Sequence, residues 1–147
     1  LLLELFPRAR FVLLKREPAD AVRSLTLVKQ KLAGLIGLQP APDQQRQVEE
    51  TAIAHRLLLE AFEASRSQIP AGQLVEVEYA DLVSSPLSTV ERIYRELSIE
   101  GWVQARVSIQ ARVDRAQTYN ACPVRLEPQA ERHLQELMAP ADASPND

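Results

Sequence analysis

The residue types best suited to chemistry cluster near the start of the chain. Arg16 follows the short apolar run Phe11-Val-Leu-Leu-Lys15 and precedes Glu17-Pro18. A guanidinium presents a planar fork of donors that matches a phosphate, and it stays charged at any relevant pH. Eight residues on, Ser24 offers a hydroxyl that can donate to a neighbouring phosphate oxygen. Both are binding groups, and neither makes or breaks a bond by itself. No Ser, His and acid arrangement stands out, and no His, Cys, Asp and Glu cluster has metal-ligand spacing, so no metal is expected and no catalytic residue is assigned. His55 falls on the apolar stripe of its helix, which predicts a packed, hydrogen-bonded core histidine; His133 is expected at the surface.

The elements that must hold Arg16 and Ser24 follow from periodicity. Residues 11–15 are rich in strand formers and read as a buried strand of the parallel type. Pro18 suits the first turn of a helix, and Ala21, Leu25, Val28 and Leu32 continue it as an apolar stripe until Gly34, Gly37, Pro40 and Pro42 break it. A second helix spans about 43–68 with the stripe Val48, Ala52, His55, Leu59 and Phe62. Residues 74–79, Leu-Val-Glu-Val-Glu-Tyr, alternate as a second strand, and Ser85-Pro86 opens a helix whose buried face is Leu87, Val90, Tyr94 and Leu97. Helices are expected at about 103–115 and 128–138, with an irregular stretch around 119–126 and a disordered tail from Ala139 to Asp147. In such a fold, ligands bind beyond the carboxyl ends of the strands, where helix N-termini offer free N–H groups to anions.

Composition bounds the rest. With 147 residues, 46% hydrophobic and 25% charged, the chain has the size of one globular domain, read as residues 1–138 plus the tail. The net charge of −3 excludes nonspecific nucleic-acid binding as a function class. The charge is uneven, with +4 over residues 1–31 and −7 in the remainder, which fits a local anion site. No apolar run reaches membrane-spanning length, and the single cysteine, Cys122, supports no disulfide framework, so the cytoplasm is the default. Two strands cannot make a parallel sheet alone, and the chain opens at Leu1 inside an apolar run, so it is expected to be a fragment whose other strands precede Leu1.

The stretch Phe11-Val-Leu-Leu-Lys-Arg16-Glu-Pro18-Ala-Asp20-Ala-Val-Arg-Ser24 resembles the sulfotransferase segment that holds the 3′-phosphate of 3′-phosphoadenosine 5′-phosphosulfate. Arg16, Pro18, Asp20 and Ser24 all fall in register with that motif. The stretch Val75-Glu-Val-Glu-Tyr79-Ala-Asp81-Leu82 is similar to a second strand of the family, whose Tyr lies at the adenine end of the nucleotide. The flanking Ile69-Pro-Ala-Gly72 and Ser85-Pro86-Leu87 resemble bacterial members, and the similar stretches run from Leu1 to about Leu97.

The resemblance implies an α/β, P-loop-like three-layer fold with a parallel sheet, here partial. It implies that Arg16 and Ser24 bind the 3′-phosphate and that Tyr79 contacts the adenosine. The parent would transfer a sulfuryl group from this donor to a hydroxyl or amine of a small-molecule or glycan acceptor, without a metal. The family's phosphosulfate loop and catalytic base are not found in these residues, so the fragment alone is expected to be inactive. Thr118-Tyr119-Asn120 corresponds only loosely to the family's later basic segment. Two rivals stand beside this reading: a nucleotide-kinase-like P-loop protein, and a noncatalytic helical interaction module.

Overall fold

The computed structural model describes residues 2–37, 40, 42–116 and 125–139. Its elements in chain order are α1 (Leu2–Leu5), β1 (Phe11–Lys15), α2 (Pro18–Ile36), α3 (Gln44–Arg66), β2 (Leu74–Glu78), α4 (Tyr79–Ser84), α5 (Pro86–Glu96), α6 (Trp102–Ala116) and α7 (Pro128–Met138). The described chain is therefore a helix-rich α/β structure with seven helices and one parallel two-stranded sheet. Of the irregular stretch expected around 119–126, residues 125 and 126 are described and lie in neither helix nor strand; the rest of it, Cys122 and the tail from 140 onward lie outside the described residues. The chain divides into two compact units, residues 1–16 with 64–121 and residues 17–63 with 122–147.

In the first unit β1 and β2 pair in parallel, Phe11 opposite Leu74 through Lys15 opposite Glu78. The turn into β2 is set by Gly72 at φ 79°, where the Gln73 N–H donates to the Pro70 carbonyl; a side chain at that position would be strained. Val75, Val77 and Leu97 form the core of this unit, with Leu82, Ile93 and Ile99 packed against them. That layer covers β2 but not β1: Val12 and Leu14, on the same face, are each 47% exposed. The expected buried strand is thus half-open: its one described strand neighbour is β2, and the side chains that pack on Val75 and Val77 leave Val12 and Leu14 uncovered. The second strand also stops one residue short of the expected 74–79. Tyr79 starts α4, a short helix whose Leu82 caps the core. Tyr94 and Trp102, with ring centroids 5.3 Å apart at 56°, tie α5 to α6.

In the second unit α2, α3 and α7 enclose a core of Val22, Val48, Ala52, Leu126, Ala130 and Leu134. The α2 stripe expected to be buried is not the one that packs. Leu25, Val28 and Leu32 are 43–47% exposed, while Val22 and Thr26 are fully buried. This helix is apolar on more than one face, and its partners, not its own periodicity, select the face that is covered. The helix also runs through Gly34 and ends at Gly37, where a Cβ would lie 2.3 Å from the Ala33 carbonyl oxygen. The Lys29 ammonium donates to the Thr51 hydroxyl at 3.0 Å across α2 and α3, and the Gln44 side chain accepts from the Glu127 N–H just before α7.

Candidate anion-binding site

Arg16 and Tyr79 are each the first residue beyond a strand. Because the last rung of the ladder pairs Lys15 with Glu78, the next residue of each strand is delivered to the same end of the sheet. There the Arg16 guanidinium carbon lies 4.7 Å from the centroid of the Tyr79 ring. Stacking on a ring face fixes the plane of a guanidinium and leaves its in-plane N–H donors directed outward. Both residues are exposed, and no carboxylate pairs with Arg16 among the described residues. The ion pair with Glu17 or Asp20 that would make Arg16 merely structural is not formed. Behind this corner Glu76 gathers charge: Lys15 reaches its carboxylate at 3.1 Å, Arg66 pairs with it, and Arg92 donates to its backbone carbonyl at 3.3 Å.

Ser24 belongs to the second unit, on the second turn of α2. It is half-buried, and its hydroxyl makes no hydrogen bond among the described residues, so it does not bond back to its own helix. The start of α2 is less open to anions than expected. Pro18 has no N–H to offer, and the Asp20 N–H donates to the Glu17 carboxylate at 2.9 Å. Asp20 in turn accepts from Arg23. The same guanidinium turns its other edge to Glu131 of α7, with Nε 3.0 Å from Oε2 and Nη2 2.6 Å from Oε1. The bidentate bond to Arg23 holds the Glu131 carboxyl below the usual carboxylate range, and Glu131 holds the Arg23 guanidinium above its already high value.

Residues 1–104 match the sulfotransferase family. The chain belongs to the sulfotransferase family. No curated protein and no solved structure matches it. The matched stretch carries Arg16, Ser24 and Tyr79, whereas Glu131 and the rest of α7 lie beyond it. No spacing in the sequence connects Arg23 with Glu131. Asp20 and Arg23 stand three apart, which marks them as neighbours on a helix, but Glu131 is 108 residues from Arg23 and no local pattern connects them.

Two histidines differ from expectation in this sulfotransferase chain. His55 is half-buried but makes no hydrogen bond among the described residues; it lines an apolar cavity of about 320 Å³ with Ala52, Ile53, Leu59 and Met138. The helix surface there is left uncovered, so the ring packs without a polar partner. His133 is not a free surface residue: its Nε2 is buried without a partner among the described residues, and its Nδ1 lies 3.8 Å from Glu136. Among the described residues no group of three or more His, Cys, Asp or Glu is placed to hold a metal ion, and no helix is long and apolar enough to cross a membrane. The loose match at Thr118-Tyr119-Asn120 lies outside the described residues.

Proposed function

We propose that this sulfotransferase chain grips the nucleotide end of 3′-phosphoadenosine 5′-phosphosulfate. In this reading Arg16 and Ser24 bind the 3′-phosphate, and Tyr79 contacts the adenosine. The observation that carries it is the Arg16 guanidinium held on the Tyr79 ring at the common carboxyl end of β1 and β2, with no carboxylate on it among the described residues. A cation kept charged, oriented and unneutralised at a strand end is what a phosphate site needs. The accessible, unbonded Ser24 hydroxyl supports the same reading.

The reaction proposed is transfer of a sulfuryl group to an acceptor hydroxyl or amine of a small molecule or glycan. The new bond forms from the acceptor oxygen or nitrogen to sulfur, the bond from sulfur to the 5′-phosphate oxygen breaks, and 3′-phosphoadenosine 5′-phosphate leaves. Like phosphoryl transfer, this chemistry depends on positioning and on stabilising charge rather than on a metal redox centre. We further read β1 and β2 as part of the parallel sheet of a P-loop-like three-layer fold, with residues 1–138 forming part of one sulfotransferase domain.

The test is calorimetric titration of the chain with 3′-phosphoadenosine 5′-phosphate against adenosine 5′-phosphate. Tighter binding of the first, lost in Arg16→Ala, supports the proposal; equal binding of the two nucleotides sinks it. Equal affinity for both would instead favour the kinase-like use of Arg16.

A further inference from the structure

The helix that carries Ser24 presents an electrostatic conflict, and the structure holds a device that resolves it. Asp20 and Ser24 are four residues apart within α2, so they share one face with their Cβ atoms about 5–6 Å apart. An unpaired carboxylate at that distance opposes any anion at Ser24. Unscreened by protein partners, a carboxylate some 6 Å from a dianionic phosphate costs on the order of tenfold in affinity even at the dielectric of water. Asp20 is not unpaired, however. Arg23 donates to it from one edge of the guanidinium and is anchored by Glu131 at the other.

We propose that Arg23 is a positioning residue for the donor site: held in place by Glu131 of α7, it sets a positive charge against Asp20, offsets the repulsion of that carboxylate, and so keeps the Ser24 face of α2 receptive to a phosphate. This rests on the reading of Ser24 as a 3′-phosphate ligand. It assigns α7, which lies outside the stretch matched to the family, a part in donor binding. The alternative role for Arg23 is simple attachment of α7 to α2. The two roles differ in what neutralising Asp20 should do.

The test is a double-mutant cycle on the full chain, read by titration with 3′-phosphoadenosine 5′-phosphate and, in parallel, adenosine 5′-phosphate. Arg23→Gln removes the charge and retains a hydrogen-bond donor; it should weaken binding of the 3′-phosphorylated nucleotide about tenfold and leave adenosine 5′-phosphate within about twofold. Adding Asp20→Asn to Arg23→Gln should restore binding to within about threefold of the original chain. Mere attachment predicts no such rescue, so a double variant that binds as weakly as Arg23→Gln overturns the proposal, as does an Arg23→Gln variant that binds normally.

Should Arg23→Gln not fold, the exchanged pair Arg23→Glu with Glu131→Arg keeps the bridge between α2 and α7 while leaving Asp20 unneutralised. Weak binding by that variant, cured by Asp20→Asn, is the expected result; normal binding refutes the role. If the unmodified chain itself showed no preference for the 3′-phosphate, the donor-site reading would fall first and this proposal with it. A preserved preference that Arg23→Gln leaves untouched would remove the role of Arg23 alone.

Discussion

The Arg16 guanidinium carbon lies 4.7 Å from the centroid of the Tyr79 ring, although 63 positions of chain numbering separate the two residues. The in-register pairing of Lys15 with Glu78 accounts for the meeting, since it sets the two strand ends level. The contact of Arg16 with the Tyr79 ring is not an ion pair, so it positions the cation without consuming its charge.

Tyr79→Leu should therefore weaken binding of 3′-phosphoadenosine 5′-phosphate by about 0.5–1 kcal/mol, the scale of an exposed cation–π contact, while Tyr79→Phe should retain most of it. Calorimetry on the two variants checks this. Equal losses in both would assign the effect to the phenol hydroxyl and not to the ring face.

Arg16→Ala should cost more, roughly 1.5–3 kcal/mol, because it removes a charged hydrogen-bond donor from an anion. The loss should appear in titrations with the 3′-phosphorylated nucleotide and be small for adenosine 5′-phosphate. Thermal melting should barely change, since Arg16 is exposed and bonds no carboxylate among the described residues.

The Arg23–Glu131 pair gives a pH signature. The Glu131 carboxyl is held below its ordinary value of 4.5 by the hydrogen bond from Arg23, so the folded state favours its ionised form. The stability this contributes is complete above the ordinary value and is lost as pH falls through the depressed one. Thermal melts from pH 7 to pH 3 should show a fall in the midpoint beginning near pH 4.5 and continuing below it. Glu131→Gln should flatten that fall; an unchanged slope would show that other carboxylates govern acid unfolding.

Leu134 is fully buried in the core shared by α2, α3 and α7. Leu134→Ala should destabilise the chain by roughly 2–5 kcal/mol, measured as a shift in the urea midpoint at constant slope. A cost under about 1 kcal/mol would mean that α7 is only loosely attached.

The half-open face of β1 makes a further expectation concrete. Val12 and Leu14 are each 47% exposed beside a strand edge, an arrangement that invites self-association. Size-exclusion chromatography should show mass rising with concentration, and Val12→Lys with Leu14→Lys should suppress the rise. A monomer at all concentrations would contradict this.

Much of the architecture was legible because it is written locally. Pro18 and Pro86 open α2 and α5, and the last helix falls on residues 128–138 as its pattern indicates. Sequence and structure part where a choice depends on distant partners. In α2 the periodicity of Ala21, Leu25, Val28 and Leu32 is real, yet it is Val22 that packs with residues of α3 and α7, and Thr26 that is buried with it. At Tyr79 the alternating pattern continues one residue past the strand, and only the packing of Leu82 against Val75 and Val77 explains why the backbone turns there. For the site, Arg16, Ser24 and Tyr79 could be picked out by motif, but the contact of Arg16 with Tyr79 depends on strand register. The anchoring of Arg23 depends on a carboxylate near the other end of the chain.

The order in which residues appear during synthesis gives the division of the chain a kinetic meaning. About 60 residues lie between β1 and β2, a loop whose closure alone is entropically costly. Those residues supply α2 and α3, whose core is completed only by α7. A nascent chain can thus pair its strands and build α5 while Val22 and Val48 still wait for Leu134. Emergence of α7 from the ribosome is then the event that lets the middle of the chain settle. Folding of the helical unit should therefore wait for synthesis of α7, and the interval before it is the one in which chaperones would have most to protect.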